Sequence, residues 1–338
     1  MRHGLVFSGG GTTIKQMVDL AVEAEQAGVD SIYLTEAWRS GFVGLSAIAM
    51  ATNRVEIGPY ILNAYGRSVW ITAMSAVDLD ELSNGRLVLG VGSGNRHINE
   101  EWQGVTQERP IRKMEEYVGL LRQAVSTRAG DKLQWKGNMH SMRWSPAVEP
   151  LRRSIPVYLA ALYPQMTAVA GRVADGLALG ALLSVDYISS EIKPRFLSAA
   201  DSAGRDPSAL GISLAPFVSL GDDANAARHA ARMAICHLYS PLPHPYYDHV
   251  LREQGFAAAA DACLKYVPEG HIDKAAGAIP DELLDRLTIT GTFEECRNKL
   301  DQFEGIVDQV LMVNVGYGSA AQDQAMSAFR GLIKLGAK

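Results

Sequence analysis

The sequence predicts a (β/α)8 barrel, and three observations carry that prediction. Eight short β-type runs follow one another along the chain, each trailed by a segment of helical hydrophobic period. No shift in composition marks a domain boundary within the 338 residues, so one domain spans 1–338. Eight strand–helix units without a break favour a closed parallel barrel over a doubly wound open sheet.

The first run, 5–8, stops at Gly9-Gly10-Gly11. Ile14, Met17, Val18 and Ala21 then share one face of a helix that ends near Gly28. Residues 31–35 (SIYLT) form the second strand, and 42–52 a small-residue helix. Residues 55–62 form the third strand, followed by a helix over 68–83 that Asn84-Gly85 terminates. RLVLGVGSGN, residues 86–95, is the fourth strand and its exit turn. Ile111, Met114, Val118, Leu121 and Val125 make the next helical stripe.

Strands five to eight fall at 156–161, 176–180, 212–220 and 308–315, with helices after Pro164 and over 185–203, 222–240 and 322–335. Thr292 and Glu295 have the spacing of a capping box. Two longer segments, 129–154 and 241–291, read as insertions, the second with the aromatic patch PLPHPYYDHV. Each is either surface decoration or a cover for the barrel mouth.

Composition narrows the function. Hydrophobic residues make up 47 % and charged residues 20 %, ordinary for a chain with a real core. The formal net charge is −5 and no basic block occurs, which argues against nucleic acid as a partner. No apolar run reaches membrane-spanning length, and the first residues are too weakly apolar for a signal peptide. Three scattered cysteines, Cys236, Cys263 and Cys296, fit a reduced, cytoplasmic setting and no metal-ligand spacing.

A parallel barrel carries its active site at the carboxyl ends of its strands. That rule nominates Ser8, then Thr35, Glu36 and Trp38, then Tyr60, Ile61, Asn63, Tyr65 and Arg67. Further round it nominates Gly92, Ser93, Gly94, Asn95, Ala160, Ala161, Leu162, Tyr163, Gly180 and Ala181. Small residues running into a helix at 160–164 suit the approach of an anion to backbone N–H groups. They equally suit the steric needs of a tight corner. Gly92-Ser93-Gly94 is not a nucleophile elbow, and no histidine pair has metalloenzyme spacing, so no metal is expected. Gly90-x-Gly92 is not a dinucleotide fingerprint, because position 95 is asparagine where the third glycine belongs.

Four stretches in order resemble the luciferase-like flavin and deazaflavin oxidoreductases. They are AVEAEQAGVDSIYLTEAW, TNRVEIGPYILNAYGRSVWITAMSAVDLDELSNGRLVLGVGSG, PVYLAALYPQMTAVAGRVADG and TGTFEECRNKLDQF. EAW after strand two and INEEWQGV after strand four look like the branch that uses coenzyme F420, with methylenetetrahydromethanopterin reductase-like members. The resemblance implies a luciferase-like barrel with the cofactor across its mouth. It also implies a bulge in strand three with a non-prolyl cis peptide at Tyr60-Ile61.

Cofactor contacts then fall on Thr35, Tyr60, Ile61, Asn63, Gly92, Ser93, Gly94, Asn95, Ala160, Ala161, Leu162, Tyr163, Gly180 and Ala181. Glu36 is expected to act as acid–base or orienting carboxylate, with Trp38 beside it in the catalytic pair. Ser8, Tyr65 and Arg67 are assigned to the substrate pocket. Sugar-oxidising relatives carry Asp-His where this chain has Glu36-Ala37, and Glu where it has Asn95, so histidine-based alcohol oxidation is disfavoured. The implied function is F420-dependent hydride transfer to or from a small organic substrate, in a homodimer or larger homo-oligomer. The alternatives are an FMN-dependent monooxygenase and a non-catalytic flavin-binding barrel.

Overall fold

The computed structural model describes residues 1–8, 11–240, 244–315 and 322–338. Strands β1 (Arg2–Phe7), β2 (Ser31–Leu34), β3 (Glu56–Pro59) and β4 (Leu62–Asn63) open the chain. β5 (Leu89–Gly92) follows; β6 (Leu133–Lys136) and β7 (Ser141–Trp144) form a separate antiparallel hairpin. β8 (Val157–Ala160), β9 (Gly176–Leu179), β10 (Gly211–Leu214), β11 (Phe217–Leu220), β12 (Ile289–Gly291) and β13 (Gln309–Asn314) complete the set. The main sheet runs β3-β2-β1-β13-β10-β9-β8-β5-β4, every pair parallel. β3 and β4 are two halves of one barrel strand, so this order returns on itself, and a parallel bridge from Ile57 to Leu87 closes the ring. The (β/α)8 expectation holds.

Strands β2, β5 and β9 are buried on both faces, as a barrel wall packed between interior side chains and outer helices must be. The inner floor is polar but paired. Tyr33 donates its hydroxyl to Glu56 Oε1 at 2.7 Å, and Arg2 Nη1 donates to Glu56 Oε2 at 2.7 Å. Tyr158 fills the space over Gly176 and Gly211, where an added Cβ would stand 2.4 Å and 1.9 Å from its ring and hydroxyl. Capping boxes at Thr13–Gln16 and Thr292–Glu295 start their helices.

Three elements differ from the sequence expectation. Barrel strand seven breaks into β10 and β11 around Ala215-Pro216, where proline cannot donate to the ladder. The helix over 185–203 contains a wide turn, Ile188–Ile192, because Lys193 N–H reaches Ile188 and the adjacent Pro194 has no N–H to offer. β12 is an unexpected short strand that pairs with β11 inside the second insertion.

The two insertions take different positions. The β6–β7 hairpin packs on helix Pro110–Ser126, whose Glu116 carboxylate accepts the N–H groups of Asn138, Met139 and His140 at 2.8–3.0 Å. The second insertion supplies helices Pro245–Glu253, Ala257–Tyr266, Ile272–Gly277 and Asp281–Leu287. Its residues His244, Pro245, Tyr246 and Tyr247 line the mouth of the barrel.

Candidate active site

A cavity of about 680 Å³ opens at the carboxyl ends of the strands. Small residues line it: Ala160 at the end of β8 and Ala161 after it, Ala178, Gly180 and Ala181 on and after β9, and Ala215 after β10. Thr35, Glu36, Tyr60, Ile61, Asn63, Ser93, Gly94, Asn95, Leu162 and Tyr163 also line it, as the positional rule anticipated. The Tyr60-Ile61 peptide is cis, at the position the family resemblance implied.

Five nominated residues, Ser8, Trp38, Tyr65, Arg67 and Gly92, lie off this cavity. Gly92 sits behind it, because an added Cβ would stand 2.2 Å from Ile61 Cδ1. Gly90 is similar, with Pro59 O at 2.4 Å. These two glycines therefore make room for the bulge of the neighbouring strand. Trp38 is 65 % exposed and packs against Trp102 in a tilted pair, with ring centroids 4.9 Å apart. Tyr65 is buried and donates its hydroxyl to Glu108 O at 2.5 Å, and burial pushes its phenol up to about 12. Ser8 is half-buried at the end of β1 and is not part of the cavity wall.

Arg67 faces a second, smaller hollow that shares Glu36, Asn63 and Ile98 with the first. Its Nε donates to Glu36 Oε1 and Oε2 at 3.0 and 2.8 Å, and its Nη2 to Oε1 at 2.5 Å. Hydrogen bonding to Glu36 holds the guanidinium pKa above its ordinary value. Gly41 N–H adds a 3.3 Å contact to the same Oε1, so Oε2 is the oxygen with acceptor capacity to spare.

A buried amide relay fixes the turn after β5. Asn63 Nδ2 donates to Asn99 Oδ1 at 2.6 Å, and Asn99 Nδ2 donates to Ser93 O at 2.8 Å. Gly94 has φ +61°, and an added Cβ would stand 2.5 Å from Asn63 Nδ2. Only glycine combines that backbone with that approach. Asn95 turns its Oδ1 back onto Ile98 N–H at 2.8 Å and starts the short wide turn Ile98–Trp102.

Among the lining residues that sequence reasoning missed, four adjacent ones come from the second insertion. His244, Pro245, Tyr246 and Tyr247 line the cavity. Tyr246 donates its hydroxyl to Gly94 O at 2.8 Å, and Tyr163 donates to Pro245 O at 3.2 Å. Tyr247 brings its hydroxyl to 3.2 Å from the place a Gly180 Cβ would occupy, so the aromatic ring seats closely over this glycine. Burial pushes the Tyr60 and Tyr247 phenols upward and the His244 imidazole down to about 4. Arg96 also lines the cavity, with its side chain 71 % exposed at the rim and 3.6 Å from Glu100. The one legible signal was the aromatic patch PLPHPYYDHV.

A closed parallel barrel with a mostly apolar cavity at the carboxyl ends of its strands is the arrangement in which barrel enzymes carry a small-molecule site. The chain belongs to the luciferase-like monooxygenase family, whose family model matches residues 2–309. It is 29 % identical over 285 residues to 5,10-methylenetetrahydromethanopterin reductase of Methanolobus tindarius, covering 82 % of this chain and 83 % of that one. The coenzyme F420 dependent tetrahydromethanopterin reductase from Methanopyrus kandleri has the same fold, with a TM-score of 0.81 at 20 % identity over 99 % of this chain and 96 % of that one. An F420-dependent secondary alcohol dehydrogenase matches at a TM-score of 0.73 and 17 % identity, over 98 % of each chain. The protein is an oxidoreductase of this family.

Proposed function

We propose that this protein is an F420-dependent oxidoreductase that moves a hydride between the deazaflavin C5 and a carbon of a small organic substrate. The observation that carries the reading is the slot itself. The cavity is lined by alanines and a glycine with Tyr247 close over Gly180, and its volume lies in the range of cofactor pockets. A flat tricyclic ring fits that shape, with polar edges toward Ser93, Asn95 and the cavity rim. A relative named as a putative coenzyme F420-dependent oxidoreductase, from Mycobacterium tuberculosis and 28 % identical over 332 residues, supports the choice of deazaflavin over FMN.

When bound, the deazaflavin supplies the hydride chemistry, and the protein supplies position, dryness and charge placement. Ala160, Ala161, Gly180 and Ala181 would pack against the ring face, and Tyr60 and Ile61 would support it from the barrel side. Ser93, Gly94 and Asn95 would meet the tail. The start of helix Pro164–Val173 adds N–H groups to that rim, and Arg96 adds a cation. Tyr246 and Tyr163 hold the covering segment over the slot and keep water from it. Glu36, held by Arg67 at the wall shared by both hollows, would orient the substrate through Oε2. Trp38, packed outside against Trp102, would shape the approach. The same reading carries a cytoplasmic homo-oligomer, tested by light scattering of the purified protein.

The test is an anaerobic screen with reduced F420 and a panel of carbonyl, imine and activated-alkene acceptors. The expected result is acceptor-dependent return of the oxidised F420 absorbance, weakened at least tenfold in Glu36→Ala while F420 affinity stays within threefold. Turnover that requires reduced FMN and oxygen instead would replace this reading with a monooxygenase. Binding without turnover, and no effect of Glu36→Ala, would replace it with a flavin-binding barrel.

A further inference from the structure

The covering segment places the His244 imidazole directly on the cavity wall, where its buried Nδ1 has no hydrogen-bond partner among the described residues. His244 is clamped by its backbone: its N–H donates to Leu238 O at 2.8 Å, and its carbonyl accepts from Tyr247 and Asp248 N–H at 3.1 Å each. It begins helix Pro245–Glu253 but makes no side-chain cap. The imidazole instead packs between the rings of Tyr246 and Tyr247, with centroids 5.2 and 4.7 Å away. Nδ1 is sealed from water there and has no hydrogen-bond partner. With Nδ1 closed off, the ring nitrogen within reach of a cavity ligand is Nε2.

The tautomer follows. A proton on Nδ1 would bury an N–H with no acceptor, whereas a proton on Nε2 leaves only a bare lone pair in the sealed position. A second proton, on both nitrogens, meets the same obstacle, in line with the downward pull of burial on this group. We propose that His244 is a ligand-binding residue whose Nε2–H donates a hydrogen bond to an acceptor atom on the edge of the flat heterocycle held in the cavity. This rests on the deazaflavin reading above. The adjacency of Tyr247 to Gly180 puts His244 on the cofactor side of the slot rather than beside the Glu36–Arg67 hollow.

The experiment titrates F420 into the full-length wild type and into His244→Leu, His244→Gln and His244→Asn, followed by F420 fluorescence. Ligand-free thermal unfolding confirms that each variant is folded. A glutamine amide nitrogen reaches the place of Nε2, and an asparagine amide nitrogen only that of Nδ1. His244→Leu and His244→Asn are expected to weaken Kd about tenfold, the loss of one buried hydrogen bond, while His244→Gln stays within about threefold. The emission maximum of bound F420 is expected to shift in the Leu and Asn variants and not in the Gln variant. Equal affinity in all four proteins, or equal losses in Gln and Leu, overturns the assignment of His244 alone. Absence of F420 binding by the wild type overturns the cofactor reading, and the role of His244 with it. If His244→Leu does not fold, the Gln–Asn contrast decides the question.

Discussion

Glu36 and Arg67 meet side-on, two guanidinium nitrogens against one carboxylate, in the wall between the two hollows at the barrel mouth. Their side chains are only 16 % and 22 % exposed, so each charge depends on the other for what water no longer provides. Arg67→Met or Glu36→Gln alone is expected to lower unfolding free energy by about 1–3 kcal/mol, between the values for exposed and fully buried pairs. The double variant is expected to lose less than the sum of the two. Urea unfolding of the four proteins measures this cycle, and strict additivity would show that the pair does not couple.

Asn99 joins strand β4 to the turn after β5, and it is fully buried. Asn99→Ala leaves the Asn63 amide and the Ser93 carbonyl without that partner. The expected cost is about 2–4 kcal/mol, the sum of two partly unsatisfied groups. F420 affinity is expected to fall as well, because Ser93 and Gly94 lose the support that sets their turn. Chemical denaturation and F420 titration of the same sample read both effects.

Gly90 and Gly92 differ in what confronts an added methyl group. At Gly90 the obstacle is the Pro59 carbonyl oxygen at 2.4 Å, and backbone cannot step aside. Gly90→Ala is expected to cost about 3 kcal/mol or to prevent folding. At Gly92 the nearest obstacle is the end of the Ile61 side chain. Gly92→Ala is expected to be milder, and Ile61→Val, which removes Cδ1, is expected to restore part of its stability. Thermal unfolding of the single and double variants tests the order, and no rescue by Ile61→Val would refute the contact.

His244 also links stability to pH. Its folded pKa is depressed to about 4, against about 6.5 for an unperturbed histidine. Between those values the unfolded chain binds the proton and the folded chain does not, so stability falls as pH drops. The contribution is complete above about pH 6.5 and is lost as pH falls toward 4, with a size of about 2–3 kcal/mol. His3 and His140 are depressed too, so the informative quantity is the difference between wild type and His244→Gln. That difference is expected to be flat above pH 7 and to change by this amount on going from pH 6.5 to 4. A difference independent of pH would show that His244 titrates normally in the folded protein.

The barrel was legible in the sequence because each of its eight units is a local pattern: an apolar run, a small-residue exit and a helix of period 3.6. The rim residues followed from position alone, which is why Thr35, Ser93, Ala160 and Gly180 were placed correctly on the cavity wall. Glu36 and Arg67 were both nominated, yet their pairing was not, since nothing local specifies which rim charges meet. The covering wall was hidden for the same reason. Tyr246 and Gly94 are 152 residues apart, and no periodicity links an insertion to the turn it covers. RLVLGVGSGN shows a further limit: its glycines stand out at once, but two of the three serve the neighbouring Pro59–Ile61 bulge rather than a ligand.

The most direct test of the account is a side-by-side titration of the purified wild-type protein with oxidised F420 and with FMN, followed by ring fluorescence. Saturable F420 binding in the micromolar range or tighter, with FMN at least a hundredfold weaker, is the predicted result. Tight FMN binding with no F420 binding would contradict it.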